Sequence, residues 1–80
     1  MDTRECVVKR LIELIKETGI TPNGLAYRSG VSQSTIKSIL GGESKNPGIV
    51  TIKKLCDGLE ITLPHFFDTE SFKKLEQEMR

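Results

Sequence analysis

The 80-residue chain has few of the residue types that build metal-binding, disulfide-linked and secreted proteins. It contains no tryptophan, one histidine and two cysteines, Cys6 and Cys56, which lie far apart in the sequence. This set suggests neither a zinc-ligand cluster nor a disulfide framework, so we expect no metal and two cysteines that act as small apolar side chains. No apolar run reaches transmembrane length, and residues 1–18 mix charges of both signs, unlike a signal peptide. These absences predict a cytoplasmic protein without membrane contact.

Residue patterns typical of catalysis are also missing. His65, the single histidine, has no nucleophile or acid beside it in a recognisable pattern, and no glycine-rich phosphate-binding loop is present. We therefore expect neither enzymatic activity nor a cofactor. The length suffices for one domain with a small core, which buries about 60% of the surface of the unfolded chain.

The net charge of +1 is unevenly distributed. Residues 21–54 carry five basic side chains and one acidic side chain, whereas residues 55–80 carry three basic and six acidic ones. Positive charge concentrated in one segment is typical of a surface that meets phosphate. The positive excess is modest. It therefore favours a protein that contacts nucleic acid over a small, oriented surface, and not one that coats nucleic acid without sequence preference.

Apolar residues recur at helical spacing along the chain, which predicts an all-α fold. The first helix is expected from Thr3 to Thr18, since Asp2 or Thr3 can cap its start and Gly19 can end it. Further helices are expected after the N-cap residues Thr21, Ser32 and Thr62, from Ile49 to Gly58, and after Asp68.

Residues 22–42 contain two short helical patterns with one glycine between them. Gly30 can adopt a positive φ at no steric cost, so the chain can reverse sharply before the second helix. The inner face of that helix carries Ile36, Ile39 and Leu40. Its outer face has a single charge among short hydrogen-bonding side chains, namely Gln33, Ser34, Lys37 and Ser38. Two short helices in this arrangement are typical of the helix-turn-helix, whose second helix lies in the DNA major groove.

The chain resembles the Cro/C1-type (XRE) family, that of the phage lambda and lambdoid repressors. The likeness extends from about Val7 to Phe67 and is carried by Leu25-Ala26, Gly30-Val31-Ser32, Ser34-Thr35-Ile36, Ile39-Leu40-Gly41-Gly42 and Ser44-Lys45-Asn46-Pro47. It departs from the family at Pro22, where many members have a phosphate-binding glutamine, and at Ser29, where an apolar residue is common. The resemblance implies a compact five-helix, lambda-repressor-like domain, here with an additional C-terminal helix.

Two sets of DNA contacts are expected on this basis. The four outer residues of the second motif helix, Gln33, Ser34, Lys37 and Ser38, are expected to meet base edges. Phosphate contacts are expected from the polar groups of the motif and of the loop after it, because similar loops in the family bind phosphate. These are Asn23, Ser32, Thr35, Gly42 through an unshielded amide, Lys45 and Asn46. An ordinary polar loop is the alternative for residues 43–48.

Residues 1–67 are expected to form the DNA-binding domain, and residues 68–80 a C-terminal helix. Phe72, Leu75 and Met79 would form one apolar stripe on that helix. We expect the stripe to join two copies into a homodimer, formed only on DNA if the interface is weak. The alternative is that the stripe packs on the chain's own core near Val7 and Leu11.

The sequence therefore predicts a sequence-specific regulator of transcription that binds double-stranded DNA. A repressor acting as a dimer at an inverted-repeat operator is the expected form. The alternative is an antitoxin-like interaction module that holds a protein partner, which would not need the polar outer face of the second motif helix.

Overall fold

A computed structural model describes residues 1–44 and 46–79, and six α-helices lie within them. The helices are α1 (Thr3–Thr18), α2 (Pro22–Ser29), α3 (Gln33–Leu40), α4 (Ile49–Gly58), α5 (Leu63–Phe67) and α6 (Glu70–Lys73). The described residues contain no strand, so the prediction of an all-α fold with an additional C-terminal helix is confirmed. Within this part of the chain, no helix has the length and apolar character needed to cross a bilayer.

Local side-chain caps fix the starts of most helices. The carboxylate of Asp2 accepts a hydrogen bond from the Glu5 N–H, and the Glu5 side chain accepts one from the Asp2 N–H. This reciprocal pair is a capping box, and the bond from the Glu5 backbone lowers the pKa of Asp2. Thr21 and Thr62 cap α2 and α5 by a single bond each, which their hydroxyl oxygens accept from the N–H of the third residue after the cap.

The core lies between α1 and α5 inclusive, where α2 packs on α4 and α3, α1 packs on α3, and α5 packs on α4. Its fully buried members include Leu25 of α2, Ile36 of α3, Phe66 of α5 and both cysteines. Burial raises the pKa of the Cys56 thiol, which therefore stays protonated. The expectation that the cysteines act as small apolar side chains agrees with these positions.

Small residues let α2 and α4 approach closely. A Cβ atom at Gly58 would lie 2.9 Å from the Ser29 Cβ and 3.1 Å from the Leu25 side chain. Serine at position 29, where the family commonly has an apolar residue, thus faces a glycine on the opposite helix. The predicted end of α4 at Gly58 is confirmed, but the left-handed residue beyond it is Glu60, with φ of 60°.

A buried guanidinium joins α1 to α5. Arg10 is only 8% exposed, and its Nε and Nη2 donate hydrogen bonds of 2.7 Å to the Phe66 carbonyl and 2.9 Å to the His65 carbonyl. These carbonyls belong to the last turn of α5, where the helix dipole favours a positive charge. Arg10 therefore anchors the fifth helix to the first.

The C-terminal helix is shorter than expected. It begins after the N-cap Thr69 and not after Asp68, and it ends at Lys73. Phe72 packs against the core beside Phe66 and Phe67, with ring centroids 6.2 Å and 5.0 Å away. Ser71 is also held to α1, because its carbonyl accepts from the Cys6 thiol and its hydroxyl accepts from Lys9.

The single stripe predicted for this helix is therefore not formed. Phe72 is partly buried in the core of its own chain, whereas Leu75 and Met79 follow the helix in irregular backbone. Met79 is 83% exposed. The aromatic contacts of Phe72 hold α6 against α5, and the bonds of Ser71 hold it against α1. The chain leaves helical geometry one residue after Lys73.

Candidate nucleic-acid interface

The turn between α2 and α3 occupies three residues. Gly30 has φ of 73°, and its N–H donates to the Ala26 carbonyl, which ends α2. Val31 is buried, and its N–H donates 3.1 Å to the Ser29 hydroxyl. The glycine turn predicted from the sequence is confirmed, and it sets α3 across the end of α2.

Hydroxyl groups cluster at the start of α3. The Ser32 Oγ accepts a 3.2 Å hydrogen bond from the Thr35 N–H and lies 2.9 Å from the Thr35 Oγ1. The Ser34 Oγ lies 3.2 Å from the same Ser32 oxygen. Because a hydroxyl has one hydrogen and two lone pairs, these groups keep capacity for a further partner.

The two faces of α3 differ sharply in exposure. Ile36 and Ile39 are buried and Leu40 packs on the core, whereas Gln33, Ser34 and Lys37 are exposed. Ser38 is half-buried at the edge of the outer face. Ser34, Thr35, Ser38 and Ser44 line a shallow depression on this side. The structure thus brings the four residues expected to meet bases onto one outer surface, which we call the polar face of α3.

The start of α2 presents a second exposed polar site. Thr21 caps the helix by accepting 3.0 Å from the Gly24 N–H, and Pro22 occupies the first helical position. Asn23 lies exposed in this first turn. The first turn of a helix suits phosphate, because its N–H groups and dipole point outward.

The segment after α3 is closed by backbone hydrogen bonds. The N–H groups of Glu43 and Ser44 both donate to the Ser38 carbonyl, at 2.9 Å and 3.1 Å. The Gly42 N–H donates 3.1 Å to the Ile39 carbonyl, so the expectation of an unshielded amide at Gly42 is wrong. The expected contact of Lys45 lies outside the described residues, while Asn46 is exposed.

One partner of this segment was missed by sequence reasoning. Arg4 of α1 donates a 3.1 Å hydrogen bond from Nη1 to the Gly42 carbonyl. The two residues are 38 positions apart, and no local pattern in the sequence joins them.

Three exposed cations lie on the helices α2, α3 and α4. Lys37, Arg28 and Lys54 are exposed, and among the described residues none of them is in an ion pair, whereas Lys53 pairs with Asp57. Of these three, Lys37 lies on the polar face of α3, where an exposed cation can neutralise phosphate and release counterions.

Comparison with known proteins agrees with this geometry. Residues 10–70 match the family model of the Cro/C1-type HTH DNA-binding domain. The HTH-type transcriptional regulator SlrR of Bacillus subtilis (strain 168) is 38% identical over 66 residues, which are 81% of this chain and 43% of SlrR. The chain therefore spans less than half of that relative. The crystal structure of the prophage Lp1 protein 11 superposes with a TM-score of 0.79 at 38% identity, covering 94% of this chain and 100% of that one.

Proposed function

The chain belongs to the Cro/C1-type helix-turn-helix DNA-binding family, and we propose that it is a sequence-specific regulator of transcription that binds duplex DNA through α3. The observation that carries this proposal is the polar face of α3, which is exposed, uncharged apart from Lys37 and built on a helix whose other side is buried. A module that only holds a protein partner would not need such a face. The protein would work in the cytoplasm, where the DNA lies.

Base readout would come from the longer side chains of the polar face. Gln33 can make two hydrogen bonds to adenine, and Lys37 can donate to the acceptors of guanine in the major groove. Ser34 and Ser38 would read more loosely, because a hydroxyl both donates and accepts. Gln33 and Lys37 are therefore proposed as the main determinants of sequence.

Phosphate contacts would fix the register of α3 on the duplex. Asn23 at the start of α2 and the hydroxyl groups of Ser32 and Thr35 at the start of α3 are exposed and suited to this role. Asn46 and Lys45 of the following loop are proposed to grip the backbone as well. Gly42 is left out of this set because its N–H is already bonded within the chain.

A dimer on an inverted repeat is the form of binding that we propose. One helix-turn-helix contacts too few base pairs to select a site in a genome, and a two-fold pair places its recognition helices about 34 Å apart, one turn of DNA. Repression needs only occupancy of a site that overlaps a promoter, so we propose a repressor. Because Phe72 lies in its own core, only Leu75 and Met79 of the expected stripe would be free to face a second copy.

Selection of bound duplexes from a random pool tests the proposal. The expected result is an enriched motif with two symmetric half-sites. A variant with both Gln33→Ala and Lys37→Ala serves as the matched control, since these side chains are exposed and their removal should leave the fold intact. A wild-type protein that enriches no motif, or a double variant that enriches the same one, would refute the proposal.

A further inference from the structure

The segment between α3 and α4, of which residues 41–44 and 46–48 are described, needs a fixed position if its polar groups are to meet the DNA backbone. Its first half is shaped locally, by the bond from the Gly42 N–H to Ile39 and by the two bonds that Ser38 accepts from Glu43 and Ser44. These bonds connect the segment to the end of α3. They do not connect it to the rest of the domain.

Arg4 supplies that connection. Its Nη1 donates 3.1 Å to the Gly42 carbonyl, in a partly buried setting that spans 38 residues of sequence. Gly42 has φ of 76°, and a Cβ atom there would come within 3.3 Å of the same nitrogen. The glycine thus provides both the backbone direction and the space that the guanidinium requires.

Arg4 also lines cavities next to both described parts of the segment. It lines one cavity together with Gly41 and Gly42, and a second cavity together with residues 46–48. The cavity beside residues 46–48 and the cavity beside Gly41 and Gly42 thus share Arg4 in their walls. A guanidinium at this position also suits the C-terminal end of α3, where the helix dipole is negative.

We propose that Arg4 is a positioning residue for DNA binding, which holds residues 41–44 in place beside the polar face of α3, so that this part of the segment meets DNA without rearrangement. A segment that is ordered before binding does not lose that conformational freedom on the DNA, and affinity rises accordingly. Arg4 acts through Gly42 and makes no phosphate contact itself. This inference rests on the proposed function, because it assumes that the segment meets DNA.

Three variants test the role. Arg4→Met keeps the aliphatic stem and removes the donor, while Arg4→Lys keeps the charge and loses the planar donor group. Lys16→Met is the matched control, because it removes the same charge from an exposed position on the same helix. The measurements are affinity for a selected duplex and for an unrelated duplex, the slope of log affinity against log salt, and amide exchange of Glu43 and Ser44 in the free protein.

Arg4→Met should weaken binding to both duplexes by about two- to tenfold, the effect of one hydrogen bond. The salt slope should stay as in the wild type, and amide exchange at Glu43 and Ser44 should become faster. The affinity and the amide exchange of Arg4→Lys should fall between those of Arg4→Met and those of the wild type. If Arg4→Met is too unstable to assay, Arg4→Lys provides the test. Lys16→Met should leave the amide exchange unchanged.

Two results would overturn the inference. A salt slope that flattens by about 0.9 in Arg4→Met would mean that Arg4 itself neutralises a phosphate. Wild-type affinity together with wild-type amide exchange would mean that the bond to Gly42 positions nothing. Failure of the wild-type protein to bind any duplex would instead refute the proposed function, and the exchange rates would still report whether Arg4 orders the segment.

Discussion

Arg10 offers the sharpest test of what holds the domain together. Replacing it by methionine keeps most of the apolar stem but removes the hydrogen bonds to the Phe66 and His65 carbonyls. The His65 carbonyl retains a second bond, from the Asp68 N–H at 3.3 Å. The Phe66 carbonyl would lose the donor that Arg10 provides.

The expected loss of stability follows from these two acceptors. A buried carbonyl left without a donor costs about 1 to 3 kcal/mol, and a bond from a charged donor contributes about 1.5 to 3 kcal/mol. Methionine offsets part of this, because the guanidinium no longer has to be removed from water. We expect Arg10→Met to lower the free energy of unfolding by about 2 to 3 kcal/mol, which lowers the melting temperature of a domain this small by about 10 to 20 °C.

Thermal unfolding followed by circular dichroism measures this shift. Arg28→Met is the matched control, because Arg28 is exposed on α2 and makes no ion pair among the described residues. It should melt within a few degrees of the wild type. If Arg10→Met melts as high as Arg28→Met, the bonds from α1 to α5 contribute no net stability and the anchoring role of Arg10 is wrong.

Four further predictions concern the DNA interface. Gln33→Ala should relax selection at one position of each half-site by about 1 to 3 kcal/mol while nonspecific binding persists, as measured by site selection. Ser32→Ala should lower stability by about 1 kcal/mol through loss of the α3 cap, which chemical denaturation detects. Lys45→Ala should weaken binding to all duplexes alike and flatten the salt slope by about 0.9 in a fluorescence titration, and an unchanged slope would contradict a phosphate contact. Leu75→Glu should reduce the fraction of duplexes that carry two subunits in sedimentation, and undiminished pairing would exclude this residue from the interface.

The secondary structure was predictable because its signals are local. Thr21, Ser32 and Thr62 each accept a hydrogen bond from the N–H three residues ahead, so cap and helix start lie within one short stretch of sequence. The left-handed conformations of Gly19 and Gly30 are equally local, since only the missing Cβ atom matters. The polar face of α3 followed from helical periodicity, once Ile36 and Ile39 were assigned to the core.

The apolar stripe predicted for the C-terminal segment is not formed, because its formation depends on residues that are distant in the sequence. Helical spacing allows Phe72, Leu75 and Met79 to share a face, but α6 is four residues long and Phe72 packs on Phe66 and Phe67 of its own chain. Helical periodicity predicts which residues share a face where the chain is helical. Periodicity does not predict at which residue the helix ends.

The sequence by itself determined the first five helices, the caps of α1, α2, α3 and α5, and the turn of the helix-turn-helix, because each depends on residues within about one turn of one another. The tertiary structure decided the bond from Arg4 to Gly42, the bonds from Arg10 to the end of α5, and the close approach of Gly58 to Ser29. Each of these joins side chains or backbone groups that are 29 or more residues apart. Such contacts arise only when several helices pack at once, and no single stretch of sequence records which groups will meet.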